Sequence, residues 1–128
     1  MEKLLKLLEE KPAIGLVGAS DNTIKYGNII FRNLVEKGFK VLPINPTTKT
    51  VEGHKAYKGL AEATGSEEID MLVYVIPPKN TKESLEQAHA LGLKRVWIQP
   101  GAGDENVRSY LEENGFEYIF DDCVMLKS

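Results

Sequence analysis

The chain has 128 residues, the length of one ordinary globular domain, so we expect a single domain over residues 1–128. Its content of 42% apolar and 27% charged residues is average for globular proteins and argues against disordered or fibrous classes. The net charge of −3 argues against broad nucleic-acid binding, which requires a basic face. The N-terminal segment is rich in Glu and Lys, and no apolar run approaches the ~20 residues of a membrane span. We therefore expect no membrane association and a cytoplasmic protein.

Helical and strand-like patterns alternate along the chain. Apolar residues that recur every three or four positions predict helices, and short apolar runs followed by turn residues predict strands. The segment from Thr47 to Ser66 is predicted to be irregular apart from one helical turn near Leu60. The predicted elements are, in chain order, a helix over residues 4–8, strands over 13–17 and 39–44 separated by a helix over 27–37, a strand over 69–76, a helix over 80–91, a strand over 93–98, a helix over 104–113 and a strand over 116–120.

The fold follows from the order of these elements. Five strands that alternate with helices predict a single three-layer, Rossmann-like α/β domain, in which a five-stranded parallel sheet has helices on both faces. Asn80 with Glu83 three residues later predicts a capping box for the helix after Pro77. Asp104 predicts the N-cap of the next helix.

Ligands of open parallel sheets bind at the carboxyl ends of the strands, so the loops there are the candidate site. The first of them contains Gly18 and Ala19, which allow a ligand to approach the backbone, and Ser20, which offers a hydroxyl. The helix that begins near Gly27 adds the positive end of its dipole, and Lys25 adds a full charge. Together these groups predict a cradle for a pyrophosphate. A turn that needs small residues only for packing is the alternative.

The sequence argues against a dehydrogenase. The spacing around Gly15 and Gly18 does not match G-x-G-x-x-G, and the second strand ends in Asn45-Pro46 with no carboxylate for a ribose. His54 and His89 have no recognisable partner, so no catalytic residue is predicted, and one cysteine with two histidines predicts no metal site.

Five segments in this order resemble the CoA-binding domain family, the small Rossmann-like domain also found at the N-terminus of the succinyl-CoA synthetase α subunit. The resemblance implies coenzyme A or an acyl-CoA as the ligand. The synthetase also uses a phosphorylated histidine in a second domain, and these 128 residues do not include that domain. The matching segments are GAS at 18–20 with KYG at 25–27, VLPINP at 41–46, VIPP at 75–78, VWIQPG at 96–101 and DC at 122–123.

The resemblance also implies which residues contact the ligand. Residues 18–21 and Lys25 would lie along the phosphates, with Lys40 as a second candidate for phosphate charge. Residues 45 and 46 would border the adenosine, residues 75–77 would pack against the adenine or the start of the pantetheine, and residues 99 and 101 would line the far wall. The full predicted set is Gly18, Ala19, Ser20, Asp21, Lys25, Tyr26, Asn45, Pro46, Val75, Ile76, Pro77, Gln99 and Gly101.

Three functions are compatible with these patterns. The leading hypothesis is a non-catalytic or regulatory module that binds CoA or acyl-CoA. The alternatives are a subunit of an ADP- or GDP-forming acyl-CoA ligase completed by other chains, and a regulatory domain for NAD or another nucleotide. A protein partner or a homodimer is compatible with each of them.

Cys123 is the only cysteine, so it cannot form an internal disulfide. Asp121 and Asp122 precede it, and nearby carboxylates predict a raised thiol pKa and low nucleophilicity. We therefore expect a buried, inert cysteine, with a mixed disulfide to CoA as the alternative.

Overall fold

The structure, a computed structural model, describes residues 2–128 and consists of alternating helices and strands. None of the helices in this range is both long and apolar enough to cross a membrane. The elements are α1 (Glu2–Glu9), β1 (Ile14–Val17), α2 (Tyr26–Glu36), β2 (Val41–Ile44), β3 (Thr50–Val51), β4 (His54–Lys55), α3 (Leu60–Ser66), β5 (Met71–Tyr74), α4 (Pro78–Ala90), β6 (Arg95–Ile98), α5 (Glu105–Glu113), β7 (Glu117–Phe120) and α6 (Val124–Lys127).

Five parallel strands form one sheet in the order β2-β1-β5-β6-β7. Side chains of α1, α2 and α6 pack in the core on one face, and side chains of α3, α4 and α5 pack on the other. The strands β1 and β5 are buried at every position, which is why their sequences are apolar runs and not alternating patterns. The three-layer, Rossmann-like prediction is confirmed.

The edge strand β2 is protected from further pairing by the backbone of Tyr57 and by Pro43. The carbonyl of Pro43 accepts the N–H of Tyr57 (2.8 Å), on the side away from β1, and Tyr57 in turn accepts the N–H of Asn45 (2.9 Å). Proline has no N–H to donate to a neighbouring strand, so an edge strand is where it is tolerated in a sheet.

The segment 47–66 contains more structure than its sequence predicts. The strands β3 and β4 form an antiparallel hairpin whose turn residues, Glu52 and Gly53, have φ values of 48° and 79°. Two successive positive φ values define a type I′ turn, for which Glu-Gly is a weaker signal than Asn-Gly. The helix α3 has seven residues where one turn was expected, and its buried residues are only Leu60 and Ala63. A pattern of two apolar positions is too short to predict a helix.

The capping prediction for α4 is wrong, and the one for α5 is confirmed. The helix α4 begins at Pro78 with Pro77 as its N-cap, so Asn80 lies inside the first turn and caps nothing. Proline suits the first helical position because its missing N–H would have had no intrahelical partner there. Asp104 caps α5, where its Oδ1 accepts the N–H of Val107 (2.9 Å).

The helix α2 packs against the end of β1 with no space for a side chain between them. A Cβ atom on Gly27 would lie 2.0 Å from the carbonyl oxygen of Gly18. Gly18 itself has a φ of 104°, a backbone conformation that residues with side chains rarely adopt. These two glycines therefore set how closely the first helix after β1 approaches the sheet.

We expect Gly27→Ala to lower the free energy of unfolding by about 1–3 kcal/mol or more, because the new methyl group has no space beside the Gly18 carbonyl. Thermal unfolding measures this as a loss of roughly 4 °C per kcal/mol. The matched control is Gly65→Ala in α3, where a Cβ meets nothing within 4 Å. That variant should be unchanged or more stable by up to about 1 kcal/mol. Equal melting temperatures for the two variants would contradict the packing argument.

Candidate ligand-binding site

The loop between β1 and α2, residues 18–25, presents unpaired backbone amides. Within residues 2–128, the N–H groups of Ser20 and Asp21 have no hydrogen-bond acceptor. The N–H groups of Tyr26 and Gly27 open α2 and have no intrahelical partner either. Four free donors beside the positive end of an eleven-residue helix form a site suited to an anion.

The two charged side chains of this loop, Lys25 and Asp21, differ in their availability to a ligand. Lys25 is the N-cap residue of α2, is exposed and forms no ion pair with any residue in 2–128, so its ammonium can meet an anion. The carboxylate of Asp21 instead accepts the N–H of Glu52 (2.8 Å) in the β3–β4 hairpin. Only the N–H of Asp21 therefore remains for the phosphate contact that the sequence predicts.

A buried asparagine connects this loop to the hairpin. Asn28, which is fully buried, donates through Nδ2 to the carbonyl of Ser20 (2.9 Å) and to the carboxylate of Glu52 (3.0 Å). Its Oδ1 accepts from Nε of Arg32 (2.7 Å). The hydrogen bond from Asn28 thus fixes the Ser20 carbonyl so that it points toward Asn28.

A second asparagine connects the loop to the end of β2. Asn45 donates through Nδ2 to the carbonyl of Ala19 (2.9 Å), and its Oδ1 accepts the N–H groups of Thr47 (2.8 Å) and Thr48 (3.1 Å). Its polar atoms are thus used within the chain. Asn45 shapes the site by holding two loops together, and its side chain has little capacity left for a ligand.

A cavity of about 360 Å³ adjoins the loop on the α3 and α4 side of the sheet. Its volume falls within the range of small-molecule sites. Most of its surface is apolar, and polar side chains of α4 lie along one wall. The lining residues are Val17, Gly18, Ile44, Pro46, Lys58, Gly59, Leu60, Ile76, Pro77, Asn80, Glu83, Ser84 and Gln87.

Four of the thirteen predicted ligand residues line this cavity, namely Gly18, Pro46, Ile76 and Pro77. The sequence did not identify Lys58, Gly59 and Leu60, because they lie in the segment predicted to be irregular. A polar Lys-Gly pair directly before a helix at the sheet edge was the available signal. Asn80 was predicted as a helix cap, whereas in the structure it lines the cavity.

Tyr26, Gln99 and Cys123 form a second polar cluster at the edge of the sheet where the strands have their carboxyl ends. The Tyr26 hydroxyl lies 3.3 Å from Sγ of Cys123, and Nε2 of Gln99 lies 3.6 Å from the same sulfur. Gln99 is fully buried, and its Oε1 accepts the N–H of Val124 (2.7 Å). The indole N–H of Trp97, also buried, donates to the carbonyl of Asp122 (2.6 Å). Gln99 thus contacts the Cys123 thiol through its side-chain nitrogen and the following backbone through its side-chain oxygen.

The expectation of a raised pKa for Cys123 is wrong. Burial raises the pKa of the thiol, but hydrogen bonds from Tyr26, from Gln99 and from the backbone amides of Met125 and Leu126 outweigh it and leave the pKa below its ordinary value. The same contact to Cys123, helped by burial, raises the pKa of Tyr26. The carboxylate of Asp122 accepts the N–H of Cys123 (3.0 Å) and so is directed at the backbone.

Three further predicted residues belong neither to the cavity lining nor to the thiol cluster. Val75 packs against the core and lies beside the loop, since a Cβ atom on Gly18 would meet its Cγ1 at 2.9 Å. Gly101 is exposed in the loop after β6 with a φ of 86°. Lys40 precedes β2, at the opposite edge of the sheet from the loop, and forms an ion pair with Glu67. A phosphate role for Lys40 is therefore wrong, because a residue that precedes a parallel strand cannot reach the carboxyl edge.

The two histidines are engaged with aromatic rings. His54 packs edge-on against Phe31, with ring centroids 5.2 Å apart, and His89 packs against Tyr110 and Phe116. Across residues 2–128 no three His, Cys, Asp or Glu side chains converge as a metal site would require.

Comparison with known proteins identifies relatives over almost the whole chain. The CoA binding domain family matches residues 12–128. The α subunit of ADP-forming acetate–CoA ligase II from Pyrococcus furiosus is 37% identical over 102 residues, which are 78% of this chain and 22% of that subunit. The chain thus spans about a fifth of that relative's length. The uncharacterized protein YneT from Bacillus subtilis is 25% identical over 122 residues, 95% of this chain and 89% of its own.

A solved structure of a conserved hypothetical protein from Pyrococcus furiosus is similar in both fold and size. Its sequence is 44% identical, its TM-score is 0.87, and the match covers 91% of this chain and 99% of that one. This likeness to a small free-standing protein complements the likeness to part of a ligase subunit.

The thiol cluster predicts that alkylation of Cys123 depends on Tyr26. Tyr26→Phe removes a hydrogen bond that stabilises the thiolate, so the pH midpoint of iodoacetamide alkylation should rise. Intact-protein mass spectrometry measures the rate, since the chain contains one cysteine. Tyr110→Phe on α5 is the control and should leave the midpoint unchanged. A midpoint that is the same in both variants and the parent would mean that the hydroxyl does not act on the thiolate.

Proposed function

This chain belongs to the CoA binding domain family, and we propose that it binds coenzyme A or an acyl-CoA as a non-catalytic or regulatory module. The observation that carries the proposal is the loop of four unpaired amides directly beside a cavity of about 360 Å³. An anion site joined to a mainly apolar cavity suits a ligand with a pyrophosphate next to a purine.

The pyrophosphate occupies the first loop in this proposal. The amides of Ser20, Asp21, Tyr26 and Gly27 donate to its oxygens, and Lys25 supplies a compensating charge. Gly18 and the buried Ala19 form the backbone platform beneath it. A neutral hydroxyl at Ser20 completes the site without repelling the ligand. Hydrogen bonds to a charged phosphate are stronger than those between neutral groups.

The remaining predicted residues then divide between the two ends of the ligand. The adenosine enters the cavity, where Pro46, Ile76 and Pro77 pack against the purine. Asn45 and Val75 do not line the cavity and contribute by holding the neighbouring residues in place. The pantetheine arm leaves in the other direction, across the loop that contains Gly101 and toward Gln99. Its thiol end thereby approaches Cys123. A mixed disulfide with CoA remains the alternative to an inert cysteine there.

A second candidate function is a subunit of an ADP-forming acyl-CoA ligase that other chains complete. The specific observation in its favour is the 37% identity to the ligase subunit from Pyrococcus furiosus. The shared region is only 22% of that subunit, so the ligase reaction would depend on residues outside this region.

A regulatory domain for NAD or another nucleotide is the third candidate. Dinucleotide sites usually place a carboxylate at the end of the second strand to bind ribose hydroxyls. Asn45 occupies that place, and its side-chain atoms already bond to Ala19, Thr47 and Thr48. This arrangement supports CoA over NAD.

Thermal shift with CoA, acetyl-CoA, NAD, ATP and FMN tests the first function. At ~100 times its dissociation constant, CoA should add about 2.7 kcal/mol to the folded state and raise the melting temperature by several degrees. Ser20→Trp should abolish the shift because the indole fills the loop. Ser109→Trp, on the exposed surface of α5, should retain it. A shift with NAD and none with CoA would replace this function with the third one.

Purification of a tagged chain from its native host tests the second function. A ligase subunit should copurify with a second chain in fixed stoichiometry, and the complex should convert acetate, CoA and ATP into acetyl-CoA, ADP and phosphate. A CoA-binding module should show no such conversion, whether or not a second chain copurifies with it. Purified chain alone is the control for background activity.

A further inference from the structure

We infer that Lys58 binds the 3′-phosphate of the adenosine and thereby makes the site selective for CoA over nucleotides that lack this group. The inference rests on the proposed function, since it assumes that the pyrophosphate occupies the first loop. Lys58 lies directly before α3 and lines the cavity beside that loop.

The position of the cavity limits where the adenosine can lie. Gly18 belongs both to the loop and to the cavity lining, so a ribose attached to the pyrophosphate reaches the cavity directly. Ile44, Leu60 and Ile76 provide apolar walls for a flat ring. The opposite direction leads to the polar cluster of Tyr26 and Cys123. The purine therefore belongs in the cavity and the thiol end belongs near Cys123.

Lys58 is the only cationic residue among the residues that line this cavity. Its ammonium makes no ion pair with any residue in 2–128. Two carboxylates are near it: its own N–H donates to Glu62 (3.2 Å), and Glu83 lines the cavity from α4. The bond to Glu62 fixes the Lys58 backbone at the start of α3, and the exposed side chain remains available to a ligand. A phosphate dianion is the group that such an unpaired ammonium binds.

The end of β2 offers no carboxylate for a ribose diol, because Asn45 stands there and its amide is engaged with Ala19, Thr47 and Thr48. A strand end without that carboxylate, next to a cation on the cavity wall, suits a phosphorylated ribose. CoA has this phosphate, whereas dephospho-CoA, ADP and NAD do not.

The experiment compares CoA with dephospho-CoA, which differ only in the 3′-phosphate, by calorimetric titration. In the parent protein, CoA should bind about tenfold more tightly or better, since an ionic hydrogen bond is gained. Lys58→Met should remove that preference and leave the affinity for dephospho-CoA unchanged. Lys58→Arg should retain it. Lys55→Met is the charge-matched control, because Lys55 lies over the Tyr57 ring in the hairpin and does not line the cavity.

The outcomes distinguish a failure of the role assigned to Lys58 from a failure of CoA binding itself. Equal affinity of the parent for both ligands, or a preference that survives Lys58→Met, would overturn the role of Lys58 while CoA binding stands. Loss of preference in Lys55→Met as well would show a general effect of charge and overturn it too. Failure of the parent to bind either ligand would overturn the proposed function itself.

Discussion

The site depends on the close packing of the start of α2 against the end of β1. Gly27 lies so near the carbonyl oxygen of Gly18 that no Cβ fits between them, and Gly18 adopts a positive φ. Because the helix begins this close to the sheet, its unpaired first amides lie next to the loop that contains the unpaired amides of Ser20 and Asp21. This steric constraint thus places four free donors in one short stretch of chain.

Two asparagines maintain this geometry. Asn28 holds the loop to the hairpin through Ser20 and Glu52, and Asn45 holds it to the end of β2 through Ala19. Both use amide groups, which are uncharged and can donate and accept at once. A buried polar group has to be satisfied in this way, since an unpaired one is costly. The loop between β1 and α2 is therefore held by hydrogen bonds to the hairpin on one side and to the end of β2 on the other.

The sequence predicts the sheet well and the connections less well. Apolar runs such as those of β1 and β5 identify buried parallel strands because both faces of each strand must be covered. The hairpin was missed and α3 was predicted only as one turn near Leu60, because two-residue strands and a helix with two buried residues give almost no periodic signal. The pKa of Cys123 was predicted wrongly because only its neighbours along the chain were considered. The groups that lower it include Tyr26 and Gln99, which are distant in sequence. Whether Lys40 can contact a phosphate depends on the end of the strand at which it lies. Its residue type alone does not give that information.

The hydrogen bond between Trp97 and the Asp122 carbonyl has a practical consequence. The protein contains a single tryptophan, and its indole is shielded from solvent inside the core. The indole N–H ends on the residue that precedes Cys123, so any rearrangement of the backbone at the thiol changes the polarity around this one chromophore. Trp97 fluorescence therefore reports on one end of the candidate site, with no second tryptophan to obscure the signal.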